Sequence, residues 1–183
     1  MRVQKIMASA LSMGLLLGAT SAAAAEETSE PLPVAISGVV ARGGSFAGTF
    51  SIKKFAARDG QVVAIGMLSG SLTNALGAPA GTALVGPIAM PVQVGPGAAA
   101  RTAAAAGAVT PQQVCDVLHL EVQPITLDVL GLQVTTLPVG IDIVADTAGV
   151  LGHLICTILE TLHNVIALVD LLNALLGLLT GLV

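Results

Sequence analysis

Phe46-Ala47-Gly48-Thr49-Phe50-Ser51-Ile52-Lys53-Lys54-Phe55-Ala56-Ala57-Arg58-Asp59-Gly60-Gln61-Val62-Val63-Ala64-Ile65-Gly66-Met67-Leu68 is the stretch that decides the fold class. Phe46, Gly48, Phe50 and Ile52 fall at every second position, the pattern of a strand with one buried face. After Lys53-Lys54 the phase slips by one, so that Phe55 and Ala57 continue that face, and such a slip is what a β-bulge produces. Asp59-Gly60 accepts the positive φ angles of a two-residue hairpin turn. The pattern predicts a β-hairpin over residues 46–72.

Downstream, Ala83-Leu84-Val85 and Ile88 to Val94 are short apolar runs broken by Pro87, Pro91 and Pro96. Proline donates nothing to a ladder, so these runs are expected at a sheet edge or in extended loop. Gly97 to Ala108 is almost all alanine and glycine around Arg101, and reads equally as linker or short helix. Period-two alternation returns between Val114 and Val144, punctuated by Pro124, Gly131, Pro138 and Gly140. It predicts an antiparallel meander with one wet face, on which Asp128 and Asp142 lie.

After Gly149 the period changes to that of a helix. His153, Thr157, Glu160 and Asn164 share one side, with Leu151, Ile155, Ile158, Leu159 and Leu162 opposite. Further on, Ala167, Asp170, Ala174, Gly177 and Gly181 form a narrow face of small residues, and almost everything else is Leu, Val or Ile. Small residues let another backbone come close, so these five are the candidate interaction residues. Val165 to Val183 would be about 28 Å long as a helix, near the thickness of a bilayer core. Asp170, Asn173 and the lack of flanking Lys or Arg speak against spanning and for packing on the sheet or on a partner.

Upstream, Arg2 and Lys5, an uncharged apolar stretch from Ile6 to Leu17 and the run Ser21 to Ala25 follow the order of a cleavable secretory signal over residues 1–25. Residues 26–33, with three glutamates and two prolines, are expected to be a disordered new N-terminus. The remainder, 34–183, is the size of a single domain. It divides into a β-rich half (34–96), an Ala/Gly linker (97–111), a β-meander (112–147) and apolar helices (148–183). The expected fold class is α+β, a curved antiparallel sheet, sandwich- or barrel-like, followed by a C-terminal helical hairpin or one long apolar helix.

The chain is 54% hydrophobic and only 10% charged. Soluble domains carry about a quarter charged residues, so much of this surface is apolar or is covered by something. After Arg101 there are seven acids and no Lys or Arg. No basic stripe of the kind nucleic-acid binding needs is present, and that class is discarded.

Cys115 and Cys156 are the only cysteines, and an even count in an exported chain reads as a disulfide. Closing a loop of about 40 residues would contribute about 4 kcal/mol by restricting the unfolded chain. His119 and His153 lie near the two cysteines and raise zinc as an alternative. Cys115 and His119 on a strand would stand about 13 Å apart, too far to share one ion. No metal or other cofactor is assigned.

The run from Cys115 through Leu132, beginning Cys-Asp-Val-Leu-His-Leu, resembles a recurring segment of exported bacterial proteins of no established activity. Ala148 to Cys156 resembles the second cysteine block of that family, and Gly44 to Phe50 and Gly66 to Gly70 also fit its pattern. The resemblance implies architecture and export and carries no catalytic residue.

The sequence lacks Gly-x-Ser-x-Gly, His-Glu-x-x-His and a phosphate-cradling glycine loop, and no enzyme is expected. Two functions remain: a structural or assembly protein of the cell envelope or extracellular matrix, acting through apolar surface, or a carrier of a hydrophobic, lipid-like ligand. The expected partners are a second copy, a hydrophobic partner or lipid, and a membrane surface. The expected location is the periplasm, the cell surface or the extracellular space.

Overall fold

The computed structural model describes residues 30–41, 43–97, 115, 117–129 and 131–181. The proposed signal segment and most of the Ala/Gly stretch lie outside these residues. Eight strands form one antiparallel sheet: β1 (Leu32–Val40), β2 (Gly44–Arg58), β3 (Gln61–Asn74), β4 (Pro79–Pro96), β5 (Val117–Val122), β6 (Thr126–Val129), β7 (Leu132–Thr136) and β8 (Val139–Val144). Two helices follow, α1 (Val150–Glu160) and α2 (Val165–Gly181).

The central hairpin is β2–β3. Arg58 pairs with Gln61, and the turn residues Asp59 and Gly60 have φ of 50° and 74°. The register slips between Ile52 and Lys54, so the bulge stands where the two lysines predict it. Inward residues of the strands form the core, with Phe46, Phe50, Leu68 and Leu72 almost fully buried. Gly48 and Gly70 are register partners under the Phe46 ring. A Cβ at Gly70 would stand 2.6 Å from that ring, so glycine here makes room for the largest core side chain.

Strand β1 alternates buried Val34, Ile36 and Val40 with exposed Ala35, Ser37 and Val39. It starts at Leu32, inside the segment expected to be disordered.

The prolines do not keep β4 at an edge: it lies between β3 and β5. Pro87 falls in a bulge, between the pairs Gly66–Ile88 and Leu68–Val85. Pro91 accepts from the Gln123 N–H at 2.8 Å, so its missing N–H faces β5 at the ladder's end, where it interrupts little. Pro96 lies beyond the last residue of β4 that pairs with β3.

The expected meander is instead one long hairpin bent in the middle. Val129 pairs with Leu132, and the same register continues to Val122–Val139 and Val117–Val144. Pro124 and Pro138 interrupt it. Across the gap Thr136, fully buried, donates its N–H to the Ile125 carbonyl, and its Oγ1 accepts the Ile125 N–H, both at 2.9 Å. One half then pairs through β5 with β4, the other through β7 with β1. In the strand order β6-β7-β1-β2-β3-β4-β5-β8, the three-residue link β5–β6 joins the last strand at one end of the sheet to the last but one at the other. Such a link spans at most about 14 Å, so the sheet curves until its ends lie close together.

Candidate functional site

The C-terminal helices carry the candidate interaction residues, and a turn, a close approach, a disulfide and a helix cap hold them. Asp146 Oδ1 accepts the Ala148 N–H at 3.0 Å, making a tight turn into α1. A Cβ at Gly152 would meet the Asp146 carbonyl, so α1 approaches that turn only because residue 152 has no side chain. Cys156, on α1, is disulfide-bonded to Cys115, just before β5, with Cα atoms 4.9 Å apart. Asn164 Oδ1 accepts the Ala167 N–H at 3.3 Å, as a side chain does at a helix start.

Along α2 the residues sort by face. Leu168, Leu172, Leu175 and Leu176 are buried and join the inward side chains of the strands in one core. Each such leucine contributes about 1.5–3 kcal/mol through burial. Asn173 adds two polar contacts: its Oδ1 accepts the Phe55 N–H at 2.8 Å and its Nδ2 donates to the Phe55 carbonyl at 3.1 Å. The β1–β2 ladder ends at Leu32–Ile52, so among the described residues β2 has no strand on that side from Lys53 onward, and the carboxamide supplies one rung there.

The opposite face of α2 is the predicted small-residue stripe. Asp170, Ala174, Gly177 and Gly181 are exposed and Ala167 is half-buried. Among the described residues no atom outside the helix backbone lies within 4 Å of where a Cβ would stand at Gly177 or Gly181. Ile166, 73% exposed, and Leu178 flank the stripe. Among the described residues no helix is long and apolar enough to cross a membrane.

His119 and Asp142 are register partners on β5 and β8, with His119 Nδ1 2.6 Å from Asp142 Oδ1. His153 stands on the exposed side of α1, and no group of three metal-ligating side chains is present among the described residues. Asp128 Oδ1 accepts the Gly131 N–H at 3.1 Å, which makes it a turn residue of the bent hairpin.

One cleft involves residues that the sequence did not single out. It has a volume of about 460 Å³ and lies between the start of β3, the C-terminal half of β4, Gln123 and the α1–α2 turn. Nothing marks Gln123 in the sequence, since a glutamine before a proline is an ordinary loop dipeptide. No family model, no curated protein and no solved structure matches the chain.

Proposed function

We propose that this is an exported, non-enzymatic structural or assembly protein of the cell envelope or extracellular matrix. The curved sheet serves as a barrel-like support, the two helices form a hairpin across it, and the outward face of α2 is the working surface. The observation that carries the reading is the two-sidedness of α2. Four leucines and Asn173 fix one side, while Ala174, Gly177 and Gly181 stand open between Ile166 and Leu178 on the other. Covering about 400 Å² of apolar surface is worth about 10 kcal/mol before the costs of association. The Cys115–Cys156 disulfide is compatible with an oxidising compartment.

The test is sedimentation of the wild-type protein and of the Gly177→Leu, Gly181→Leu double variant over a wide concentration range. Concentration-dependent association that the variant loses, with its circular dichroism unchanged, supports the reading. A monomer at all concentrations in both proteins, with no envelope component retained, sinks it. The second reading, a carrier of a hydrophobic ligand, draws support from the cleft beside Gln123.

A further inference from the structure

We propose that the outer face of the sheet, across β7-β1-β2-β3-β4, is where a second copy of this chain docks face to face about a two-fold axis. This surface is distinct from the outward face of α2 and does not depend on it. From Gln61 to Pro96, the whole of β3 and β4, the chain holds no Asp, Glu, Lys or Arg, although Ser69, Ser71, Thr82 and Leu84 in it are exposed. On β2 charge begins only at Lys53, in the bulge. A solvated surface ordinarily carries about 25–35% charged residues, and their depletion marks the middle of protein interfaces.

The middle of the face is built of short side chains. Ala47 pairs with Ser71 and Thr49 with Ser69, and β1 sets Ser37 beside Ala47 and Ala35 beside Thr49. On each strand these residues alternate with buried ones, so they point away from the core. The larger apolar side chains stand at the margins. Leu84, on β4, is 72% exposed; at the other margin Val39, on β1, is 53% exposed and Leu137, after β7, is 47% exposed. The Leu137 N–H donates to the Ser37 carbonyl at 2.8 Å, which holds that residue alongside β1. Side-chain length therefore rises from the middle of the face to its margins. This offsets the outward curve of the sheet and lets two such faces meet over their breadth.

Two properties select a second copy as the occupant. A hydroxyl both donates and accepts, so Ser37, Thr49, Ser69 and Ser71 can meet their own kind with no clash of donors or charges, as an isologous contact requires. The area also fits. Five strands about 4.8 Å apart, over seven residues of about 3.3 Å each, cover about 550 Å². Two copies bring about 1,100 Å² together, which clears the size of a specific interface and falls among the reversible ones.

Sedimentation of the Gly177→Leu, Gly181→Leu variant, in which the α2 face is blocked, reads this surface alone. That protein should form a reversible dimer. Adding Ser69→Arg, at the centre of the face, should raise the dissociation constant about tenfold or more, since two like charges are forced together. His153→Arg, on the exposed side of α1, should leave it unchanged. The chain's net charge is −4, so an added arginine by itself eases the approach of two copies, and a loss confined to residue 69 is not a general charge effect. Circular dichroism melting checks folding, and Ser71→Arg takes the place of Ser69→Arg if that one is unfolded. A dimer equally tight with and without the arginine at the face overturns the proposal. So does a monomer at every concentration, including one that gathers instead on lipid vesicles. A glycine variant that is monomeric while the wild type assembles supports the α2 reading and overturns this one, whereas a variant that stops at the dimer upholds both.

Discussion

The Asn173 carboxamide pairs with both backbone groups of Phe55, across 118 residues of sequence, in the manner of a neighbouring strand. It joins α2 to β2 at the one stretch of β2 that β1 does not reach. Asn173→Leu therefore removes two hydrogen bonds and leaves a part-buried N–H and carbonyl without partners. The expected loss is about 2–4 kcal/mol by urea denaturation. Asn173→Asp keeps the acceptor but turns a carboxylate oxygen toward the Phe55 carbonyl, and should cost at least as much at neutral pH. Equal stability of wild type and Asn173→Leu would show the pairing to be incidental.

Glycines on the two sides of the molecule should respond oppositely to one methyl group. At Gly70 a Cβ would stand 2.6 Å from the Phe46 ring and from the Ala47 carbonyl, and Gly70→Ala is expected to cost about 3 kcal/mol or more. At Gly177 the space is open, and Gly177→Ala should stabilise the helix by about 0.5–1 kcal/mol. Thermal melts by circular dichroism compare the two directly.

Gly60, with φ of 74° at the tip of the central hairpin, has open space around it but a backbone that branched residues avoid. Gly60→Val should destabilise the protein by about 1 kcal/mol or more, and Gly60→Asn by less, since asparagine tolerates that region. A valine variant as stable as the asparagine one would contradict the strain argument.

The bend in the long hairpin depends on the Thr136 hydroxyl. Thr136→Val keeps the shape and orphans the Ile125 N–H, for an expected cost of about 1–3 kcal/mol, whereas Thr136→Ser should recover most of it. Hydrogen exchange at the Ile125 amide is the local measurement: it should accelerate in the valine variant and not in the serine one.

Loss of the disulfide should lower stability by about 4 kcal/mol, because the separation of 41 residues leaves a long loop to close in the unfolded chain. Cys115→Ala, Cys156→Ala and the double variant are expected to be equally affected. A single variant much worse than the double would point to a lost contact and not to lost cross-linking.

Local chemistry alone determined much of this protein. The turn at Asp59-Gly60, the bulge at Lys53-Lys54, the two faces of the C-terminal helices and the exposure of Asp128 and Asp142 are legible in residue order. Each depends on φ preferences or on a two- or 3.6-residue period, which neighbouring residues carry by themselves. Tertiary structure decided the rest. Three prolines did not exclude β4 from the interior of the sheet, because their cost depends on which neighbour the missing N–H faces. Pro124 and Pro138 did not separate a meander into strands but bent one hairpin so that its halves pair with β4 and β1. Asn173 and Gln123 look alike in the sequence, as lone amides among apolar residues. One carboxamide is satisfied by Phe55 and the Nε2 of the other has no partner among the described residues, and that difference arises only when segments far apart in the chain are brought together, where each buried polar group either meets its partner or does not.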